Sequence, residues 1–402
     1  MSLISVEEAL KRVLSSARSL ETEEISIAHA HGRTLSAPLH ATRTQPPFNA
    51  SAMDGYAVKG AEIQQKGTQL KVVGESAAGH GFHHELNSGE AVRIFTGAPV
   101  PKGADTILLQ EYARRDGENV IVEDIETIGR HVRHVGLDFK KGDALLKQGD
   151  RLNARSLALA AAMGHGHVKV SRKPKVAILA TGDELVEPGH AASPDQIVAS
   201  NHLTTAALVE AAGGEALQLG IAGDSFLSLE RGIIAAESEG ADILVTLGGA
   251  SVGDHDLVQS VLARRGMELG FWRIAMRPGK PLIHGKLGQM AILGLPGNPV
   301  SSYVCARLFL VPLIRAMQGD PDAARDPSEP ARLGVAVRAN DKRQDYLRAA
   351  LTTPHDGLPT ATPYELQDSS MIRVMAEAGA LVIRKPFAAA EPAGSLCRII
   401  RL

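Results

Sequence analysis

Residues 242–256 read DILVTLGGASVGDHD, a short apolar strand that runs without a break into a glycine-rich turn. Around it, apolar runs of strand length alternate with helical segments. The predicted order is strand 175–180, helix 203–212, strand 216–219, helix 227–237, strand 242–247 and helix 256–265. Such alternation predicts a doubly wound α/β domain on a parallel sheet, with ligands bound at the carboxyl ends of the strands.

The glycines of the 248–253 turn are the first candidates for a ligand site. Gly248, Gly249 and Gly253 let backbone N–H groups approach a phosphate, and the helix that follows adds a favourable dipole. The alternative is an ordinary strand-to-helix turn. Neither GxGxxG nor GxxxxGK[ST] occurs in the chain, so Rossmann-type dinucleotide binding and a P-loop NTPase both lose support.

Acidic residues follow three of the predicted strands. Glu184 lies in the TGDEL sequence after the first strand, Asp224 follows the second, and Asp256 follows the third. Because the carboxyl ends of parallel strands share one edge, the three carboxylates would lie near one crevice. Hard oxygen ligands suit a Mg²⁺ ion that bridges phosphates better than zinc. The alternative is that these residues only cap turns and helices.

A basic loop follows at residues 273–281, which read RIAMRPGKP. The proline–glycine pair shapes the turn from which Arg273, Arg277 and Lys280 project. Arginine offers bidentate hydrogen bonds, so the loop is either an oxyanion or phosphate clamp or a solvated basic turn.

The segment after the last apolar run, LPGNPVSS at 295–302, opens a helix that we predict to reach about residue 317. Asn298 suits the N-cap and Pro299 the first helical position. The same geometry would direct the hydroxyls of Ser301 and Ser302, with backbone N–H groups, towards an anion.

The rest of the chain lacks this alternation. Residues 52–140 and 331–402 hold short strand-like runs separated by Gly and Asp, which is typical of small all-β domains. Breaks in composition at 45–48, 171–174 and 319–330 separate these parts.

The composition argues against several classes of function. The 402 residues suffice for about two to four domains. A formal net charge of −2 and only 14 aromatic residues (1 Trp, 5 Tyr and 8 Phe) give no indication of nucleic-acid binding. No apolar run reaches the length of a membrane span, and a capped helix beginning after Ser5 takes the place of a signal peptide.

Cysteine and histidine spacing adds two expectations. Cys305 and Cys397 are isolated, which together with the N-terminus favours a reducing cytoplasm. The histidines of 80–84 and 165–167 lack metal-binding spacing and are more typical of surface loops than of ligands.

Six motifs, taken in order, carry a resemblance to one family. They are NASAMDGYAV (49–58), RIFTGAPVPKG (93–103), TGDEL (181–185), GGASVGDHD (248–256), RPGKPL (277–282) and LPGNPVS (295–301). The chain resembles the molybdopterin molybdenumtransferases of the MoeA type, whose eukaryotic relatives form the C-terminal part of gephyrin. A GGxSVG motif alone is shared with other molybdopterin-binding domains, whereas the full set with MDGYA is specific.

The resemblance implies an activity and a domain plan. Such enzymes take adenylylated molybdopterin and molybdate, use Mg²⁺, release AMP, and leave molybdenum on the dithiolene sulfurs. Their fold is a homodimer of elongated four-domain subunits. Carried onto this chain, the plan is 1–45 with 141–172 as a helical linker domain I, 46–140 as a mixed, β-rich domain II, 173–326 as the α/β molybdopterin-binding domain III, and 327–402 as a small C-terminal β-barrel, domain IV.

The resemblance also assigns roles. Asp54 and Thr96 would face, from domain II, a cleft completed by domain III of the other subunit. Glu184, Asp224 and Asp256 would be the acids that support Mg²⁺ and catalysis. The residues implied to bind molybdopterin, molybdate or phosphate are Gly248, Gly249, Ser251, Gly253, Arg273, Arg277, Lys280, Pro296 and Ser301. The implied partner is the upstream molybdopterin adenylyltransferase; neither nucleic acid nor a membrane is expected.

Two other functions compete with this one. An adenylyltransferase would share the α/β domain, but the β domains and the MDGYA segment argue against it. A non-catalytic pterin-binding scaffold is the other alternative, and the three acids argue against it. Leu137 stands where the family often has an acid, and 367–370 reads QDSS where QGSG is more usual, so the scaffold stays open.

Overall fold

The computed structural model of the chain describes residues 3–249, 257–353 and 357–402. The strands up to residue 172 are β1 (Thr22–Ser26), β2 (Leu39–His40), β3 (Ala50–Ser51), β4 (Gly55–Val58), β5 (Gln69–Ser76), β6 (Glu90–Ile94), β7 (Thr106–Leu109), β8 (Ala113–Asp116), β9 (Asn119–Val122), β10 (Val132–Arg133), β11 (Ala144–Leu146) and β12 (His167–Ser171). The helices of this part are α1 (Val6–Ser15) and α2 (Ala154–Ala162), with 3₁₀ turns at Ile27–His29, Gly60–Ile63 and Gln110–Tyr112.

Domain II is built on a six-stranded sheet in the order β7-β4-β6-β5-β9-β8. Only the β5–β6 pair is parallel, so the sheet is mixed. Alternate side chains of these strands fill two small cores, one around Leu108 and Val120 and one around Val92 and Ile107. This is the mixed, β-rich second domain that the sequence predicted.

Domain I differs from the helical linker that we expected. It contains the antiparallel ladders β1–β12 and β2–β11, with α2 alongside. Leu35 and Leu39 from the first segment pack with Leu152 and Val170 from the second, so one core joins both segments. The chain leaves this core after β2, builds domain II, and returns at β11.

Helix α1 packs on the α/β domain, although the predicted boundary at residue 45 assigned it to domain I. Its buried Ala9 and Val13 belong to the same core cluster as Leu313. Just beyond its end, the Ser16 hydroxyl lies 3.2 Å from Nε2 of His284. The apolar face of a helix shows that it will be covered but not which distant surface covers it, so the position of α1 in the sequence does not predict this contact.

The α/β domain has strands β13 (Lys175–Thr181), β14 (Leu185–Val186), β15 (Ile197–Val198), β16 (Glu215–Ala222), β17 (Ile243–Leu247), β18 (Glu268–Arg273), β19 (Met276–Arg277), β20 (Pro281–Leu287) and β21 (Met290–Leu295). Its helices are α3 (Asn201–Ala211), α4 (Phe226–Ser238), α5 (Leu257–Arg264), α6 (Pro299–Cys305) and α7 (Val311–Met317), with a π-helical turn, Ala306–Leu310, between the last two.

The central sheet runs β16-β13-β17-β21-β20-β18. Its first four strands are parallel, as the alternating pattern predicted, and helices cover both faces. Strand β20 runs antiparallel to both of its neighbours, β21 and β18, which the pattern did not predict. Only residues 288–289 separate β20 from β21, and a connection that short permits only an antiparallel pair.

The helical run Pro299–Met317 is long and apolar enough to cross a membrane by length and composition. In the fold, however, 67% of its most apolar 18-residue window is buried. Phe309 and Leu313 are fully buried and share a core cluster with Val245 and Leu293 of the sheet. The run is therefore packed as a core helix of the α/β domain.

The C-terminal domain has strands β22 (Glu329–Leu333), β23 (Gln344–Thr352), β24 (Thr360–Pro363), β25 (Ala380–Arg384) and β26 (Leu396–Arg401), with helix α8 (Ile372–Glu377). They pair in the order β23-β24-β22-β26-β25, and β25 pairs back with β23. The ring closes, which confirms the predicted small β-barrel. Strand β19 of the preceding domain adds to the outside of β23.

A buried carboxylate fastens the N-terminal segments to the central sheet. Asp242, just before β17, has a fully buried side chain. Arg172 donates to its two oxygens at 2.6 and 2.9 Å, Arg18 donates at 2.5 Å, and the Lys175 N–H donates at 2.9 Å. Burial alone would raise the pKa of Asp242, but these hydrogen bonds and positive charges outweigh burial and lower the pKa below its ordinary value.

We expect Asp242→Ala to lower the free energy of unfolding by about 3 kcal/mol at neutral pH, because it leaves two partly buried arginines without their partner. Urea denaturation followed by circular dichroism measures the change. Because the folded-state pKa is depressed, Asp242 stabilises the fold above the unfolded-state pKa, and this contribution disappears as the pH falls through the folded-state pKa. The difference between wild type and variant should therefore shrink in acid.

The matched control is Glu8→Ala, which removes the exposed Arg12–Glu8 pair. It should change stability little, because solvent screens such a pair. Equal destabilisation by the two variants would contradict the role given to Asp242.

Candidate functional site

The four parallel strands end at one edge of the sheet, where their loops bond to one another. The Gly182 N–H donates to the carbonyl of Ala222 at 3.1 Å, which ties the loop after β13 to β16. The Gly248 N–H donates to the carbonyl of Leu295 at 3.1 Å, which ties the loop after β17 to β21. A cavity of about 1080 Å³ opens at this edge.

Most of the predicted site residues of the α/β domain line this cavity, in agreement with the expectation that strand-end loops converge. They are Glu184, Asp224, Gly248, Gly249, Arg277, Lys280, Pro296 and Ser301. Three others, Ser251, Gly253 and Asp256, lie outside the described residues. Arg273 is placed elsewhere, as are Asp54 and Thr96.

Two glycines form the floor of the cavity, and neither position has room for a side chain. Gly248 has φ +101°, and a Cβ there would lie 2.7 Å from the carbonyl oxygen of Thr181. Gly249 has φ +66°, and its Cβ would lie 2.4 Å from Cγ2 of Val258. Only glycine fits either position. Gly248 is buried and its N–H is taken by the Leu295 carbonyl, whereas Gly249 is exposed, so its backbone is the part of this floor that a ligand can reach.

Two carboxylates stand at the strand ends beside this floor. Glu184 and Asp224 are both exposed, and in the described part of the chain neither carboxylate makes an ion pair or a side-chain hydrogen bond. The backbone N–H of Asp224 is held at 2.9 Å by the carboxylate of Asp183, which fixes the loop. Free carboxylate oxygens are the donors that Mg²⁺ takes from proteins, usually one or two together with water and substrate phosphates.

The described residues hold no group of three acidic, histidine or cysteine side chains placed to bind a metal. Glu184 and Asp224 therefore supply at most a two-carboxylate set in this part of the chain. That number still fits Mg²⁺, because this ion keeps several waters and shares phosphate oxygens.

The basic loop places its three cations in three different environments. Arg277 donates from Nε and Nη2 to the two oxygens of Asp345 at 2.9 and 2.5 Å, and this carboxylate raises the pKa of the guanidinium. Lys280 is exposed on the cavity wall, and no hydrogen bond or ion pair of its ammonium occurs among the described residues. Lys280 is thus the loop's uncommitted cation.

Arg273 does not reach the cavity, contrary to the prediction. It ends the edge strand β18, where its guanidinium lies over the ring of Trp272 at 4.8 Å from the centroid. Its Nε is buried without a hydrogen-bond partner. Sequence spacing could not show this, because the antiparallel edge of the sheet was not predicted.

Domain IV contributes a cavity wall that sequence reasoning missed. Residues 367–370 line the cavity. The Ser369 carbonyl accepts from the N–H of Val300 at 3.1 Å, and its hydroxyl accepts from the amide of Asn298 at 2.9 Å. Asn298 does occupy the N-cap, as predicted, but its side chain bonds to domain IV and not to the helix. The sequence held one indication that this segment belongs to the site, because residues 367–370 stand at a family motif, from which they depart.

The start of helix α3 is a second missed contribution. Asn201 donates from Nδ2 to the carbonyl of Gly297 at 2.7 Å, joining two cavity loops. His202 also lines the cavity; its Nε2 lies 3.5 Å from Glu187, and its Nδ1 is buried without a partner. The sequence does not predict this contribution, because nothing in it places these residues beside a loop about 95 residues away.

Asp54 and Thr96 form a compact unit in domain II. Oδ1 of Asp54 accepts from the Thr96 N–H at 2.7 Å and from its hydroxyl at 2.8 Å. These two hydrogen bonds, the backbone one first, lower the pKa of the Asp54 carboxyl, so it is ionised at neutral pH. Within one chain this unit stands apart from the cavity, whose lining in the described residues comes only from 180–372.

Comparison with known proteins identifies the family. Residues 4–164 match the MoeA N-terminal region (domain I and II), 177–316 a probable molybdopterin binding domain, and 330–401 the MoeA C-terminal region (domain IV). A molybdopterin molybdenumtransferase of Haemophilus influenzae is 38% identical over 82% of this chain and 81% of its own length. The chain belongs to the molybdopterin molybdenumtransferase family. It is accordingly a transferase of molybdenum cofactor biosynthesis.

Other members of the molybdopterin molybdenumtransferase family agree with this assignment. The Bacillus subtilis enzyme of the same name is 31% identical over 94% of this chain and 90% of its own length. A crystal structure of the molybdopterin biosynthesis moeA protein of Pyrococcus horikoshii is 31% identical, covers 100% of this chain and 99% of its own, and superposes with a TM-score of 0.82. The similarity includes domains I, II and IV, which a lone adenylyltransferase domain would not explain.

We expect Thr96→Val to raise the pKa of Asp54, because one of the two hydrogen bonds to its carboxylate is lost while the backbone one remains. Carbon-detected NMR titration of the Asp54 carboxyl measures this shift. Thr96 is exposed, so the melting temperature should stay near that of wild type. Thr96→Ser keeps the hydroxyl and should leave the pKa unchanged; a shift in Thr96→Ser equal to that in Thr96→Val would refute the assignment.

Proposed function

We propose that this family member inserts molybdate into adenylylated molybdopterin and releases AMP, in a reaction that depends on Mg²⁺. The observation that carries the proposal is the cavity at the strand ends. There, the carboxylates of Glu184 and Asp224 and the ammonium of Lys280, which have no partner among the described residues, lie with the exposed backbone of Gly249 around one space large enough for a nucleotide-sized polyanion. Membership of the molybdopterin molybdenumtransferase family supports this proposal.

The residues divide the work according to charge. Glu184 and Asp224 would hold Mg²⁺, which when bound neutralises charge on the phosphoanhydride as it breaks. The exposed backbone at Gly249 and the ammonium of Lys280 bind phosphate or molybdate oxygens. Pro296 and Ser301, both buried on the cavity wall, shape the pterin end of the space. The contacts of Mg²⁺, Lys280 and the backbone would act on oxygens that carry negative charge, and such contacts are strongest where water is excluded.

Asp54 would act from the side of the cavity that faces away from the α/β domain. Ionised and held by Thr96, it can orient a water molecule or accept its proton at the bond that breaks. Because the cavity of one chain lacks any contribution from domain II in the described residues, we infer that the site is completed by domain II of a second copy. This inference makes the protein a homodimer with two equivalent sites.

The chemistry of the substrate also indicates which reaction must precede this one. An adenylylated pterin must be supplied by an adenylyl transfer, so we propose the molybdopterin adenylyltransferase as the upstream partner. We place both reactions in the cytoplasm, where a thiol-bearing pterin stays reduced.

The direct test incubates the purified protein with adenylylated molybdopterin, molybdate and Mg²⁺ and follows AMP by chromatography. We expect AMP release that requires both molybdate and the metal. A protein that binds the pterin but releases no AMP would be a scaffold, and the proposal would fail.

We expect Glu184→Gln to slow AMP release about 100-fold, because a neutral amide holds Mg²⁺ poorly and stabilises less charge in the transition state. Raising Mg²⁺ should restore part of the rate. Asp195→Asn is the control: it removes an exposed acid near the same loop that does not line the cavity. Equal rates in the two variants would argue against Glu184 as a metal ligand.

A mixing experiment tests the shared site. Asp54→Ala and Lys280→Ala would each inactivate every site of their own dimers. After subunit exchange in a 1:1 mixture, half of the dimers are mixed and each carries one intact site, so about one quarter of the wild-type activity should return. No recovery after exchange confirmed by mass spectrometry would mean that each site belongs to one chain.

A further inference from the structure

Strand β19 connects the cavity to the C-terminal barrel. Its residues Met276 and Arg277 belong by sequence to the α/β domain, yet they pair in parallel with Gln344 and Asp345 of β23. The Gln344 N–H also donates to the carbonyl of Ala275 at 2.8 Å. The cavity loop 277–280 therefore begins at a strand that is part of another domain's sheet.

The side chains strengthen this junction. Asp345 is buried, at 5% relative exposure, and receives the forked hydrogen bonds of Arg277. Nη2 of the same guanidinium lies 3.3 Å from Oδ1 of Asn340, and Nη1 lies 3.7 Å from Asp341. A bidentate arginine–carboxylate pair fixes both distance and orientation, which a single point charge does not.

From Arg277 the loop has few ways to move before Lys280. Gly279 packs so tightly on Cys305 that a Cβ would lie 2.5 Å from its Sγ. The Lys280 carbonyl accepts from the N–H of Ile274 at 3.2 Å. One end of the loop is thus held by the barrel and the other by β18, and the ammonium of Lys280 extends from a braced backbone.

We propose that Asp345, a barrel residue that does not line the cavity, is a positioning residue for the anion-binding loop 277–280. It holds Arg277 by Nε and Nη2 and so keeps Lys280 where an oxyanion of the substrate binds. Without it, the Arg277 guanidinium is free to turn towards the cavity and the loop loses its anchor on β23. The inference rests on the proposed function, because it assigns the loop to binding of the anionic substrates.

The test measures steady-state AMP release by full-length wild type, Asp345→Asn, Arg277→Lys and the double variant. We expect Asp345→Asn to raise KM for molybdate or for the adenylylated pterin about tenfold, with kcat changed less than threefold, because the loop acts in binding. Arg277→Lys removes the fork but keeps the charge and should have a similar effect. The double variant should be no worse than either single variant, because both remove the same contact.

The control is Glu391→Gln, which breaks another arginine–carboxylate pair of the barrel, Arg384 Nη1 to Glu391 Oε1 at 2.8 Å, in which the arginine is buried and the carboxylate is half-buried. It should lower the melting temperature to a similar extent without changing KM. An unchanged KM in Asp345→Asn, additive effects in the double variant, or an equal KM rise in Glu391→Gln would overturn the positioning role. A wild-type protein without molybdate-dependent AMP release would overturn the proposed function, and with it this inference.

Discussion

The parallel sheet of the α/β domain imposes the constraint on which the rest of this structure depends. Four strands point the same way, so their carboxyl ends form one edge, and the loops that leave it must share a small space. Backbone hydrogen bonds such as Gly248 N–H to the Leu295 carbonyl hold these loops together. The close approach leaves no room for a Cβ at Gly248 or Gly249. The same crowding that demands glycine leaves the backbone of Gly249 exposed at the cavity, where no side chain shields it from an anion.

The acidic residues at the two ends of the parallel strands differ in burial and pairing. At the opposite end of the strands, Asp242 is buried and fully paired with Arg18 and Arg172, and there it serves stability. At the carboxyl ends, Glu184 and Asp224 remain exposed and unpaired in the described residues. Buried ionised groups must be compensated, whereas unpaired ones stay where solvent or a ligand can reach them. The contrast separates structural acids from those available for chemistry.

The barrel takes part in the site although it is last in the chain. It supplies a wall at 367–370, bonds to Asn298 and Val300 through Ser369, and holds Arg277 through Asp345. The short strands predicted a small all-β domain, and the resemblance implied that it is a β-barrel. Neither predicted these contacts, because hydrogen bonds across 68 to 71 residues have no local pattern. The contacts of Arg273 and of helix α1 could not be predicted for the same reason.

The sequence by itself determined the elements and their chemistry: alternating strand and helix between 175 and 317, glycines where backbone comes close, acids after strands, and motifs specific enough to name the family. These features are local, since propensity, capping and side-chain chemistry act over a few residues. The tertiary structure alone decided which charges remain free. Lys280 and Arg277 are three residues apart, yet the Lys280 ammonium has no partner in the described part of the chain, whereas the Arg277 guanidinium is bound by Asp345. That difference depends on which distant strand lies beside each residue, and only the folded chain settles it.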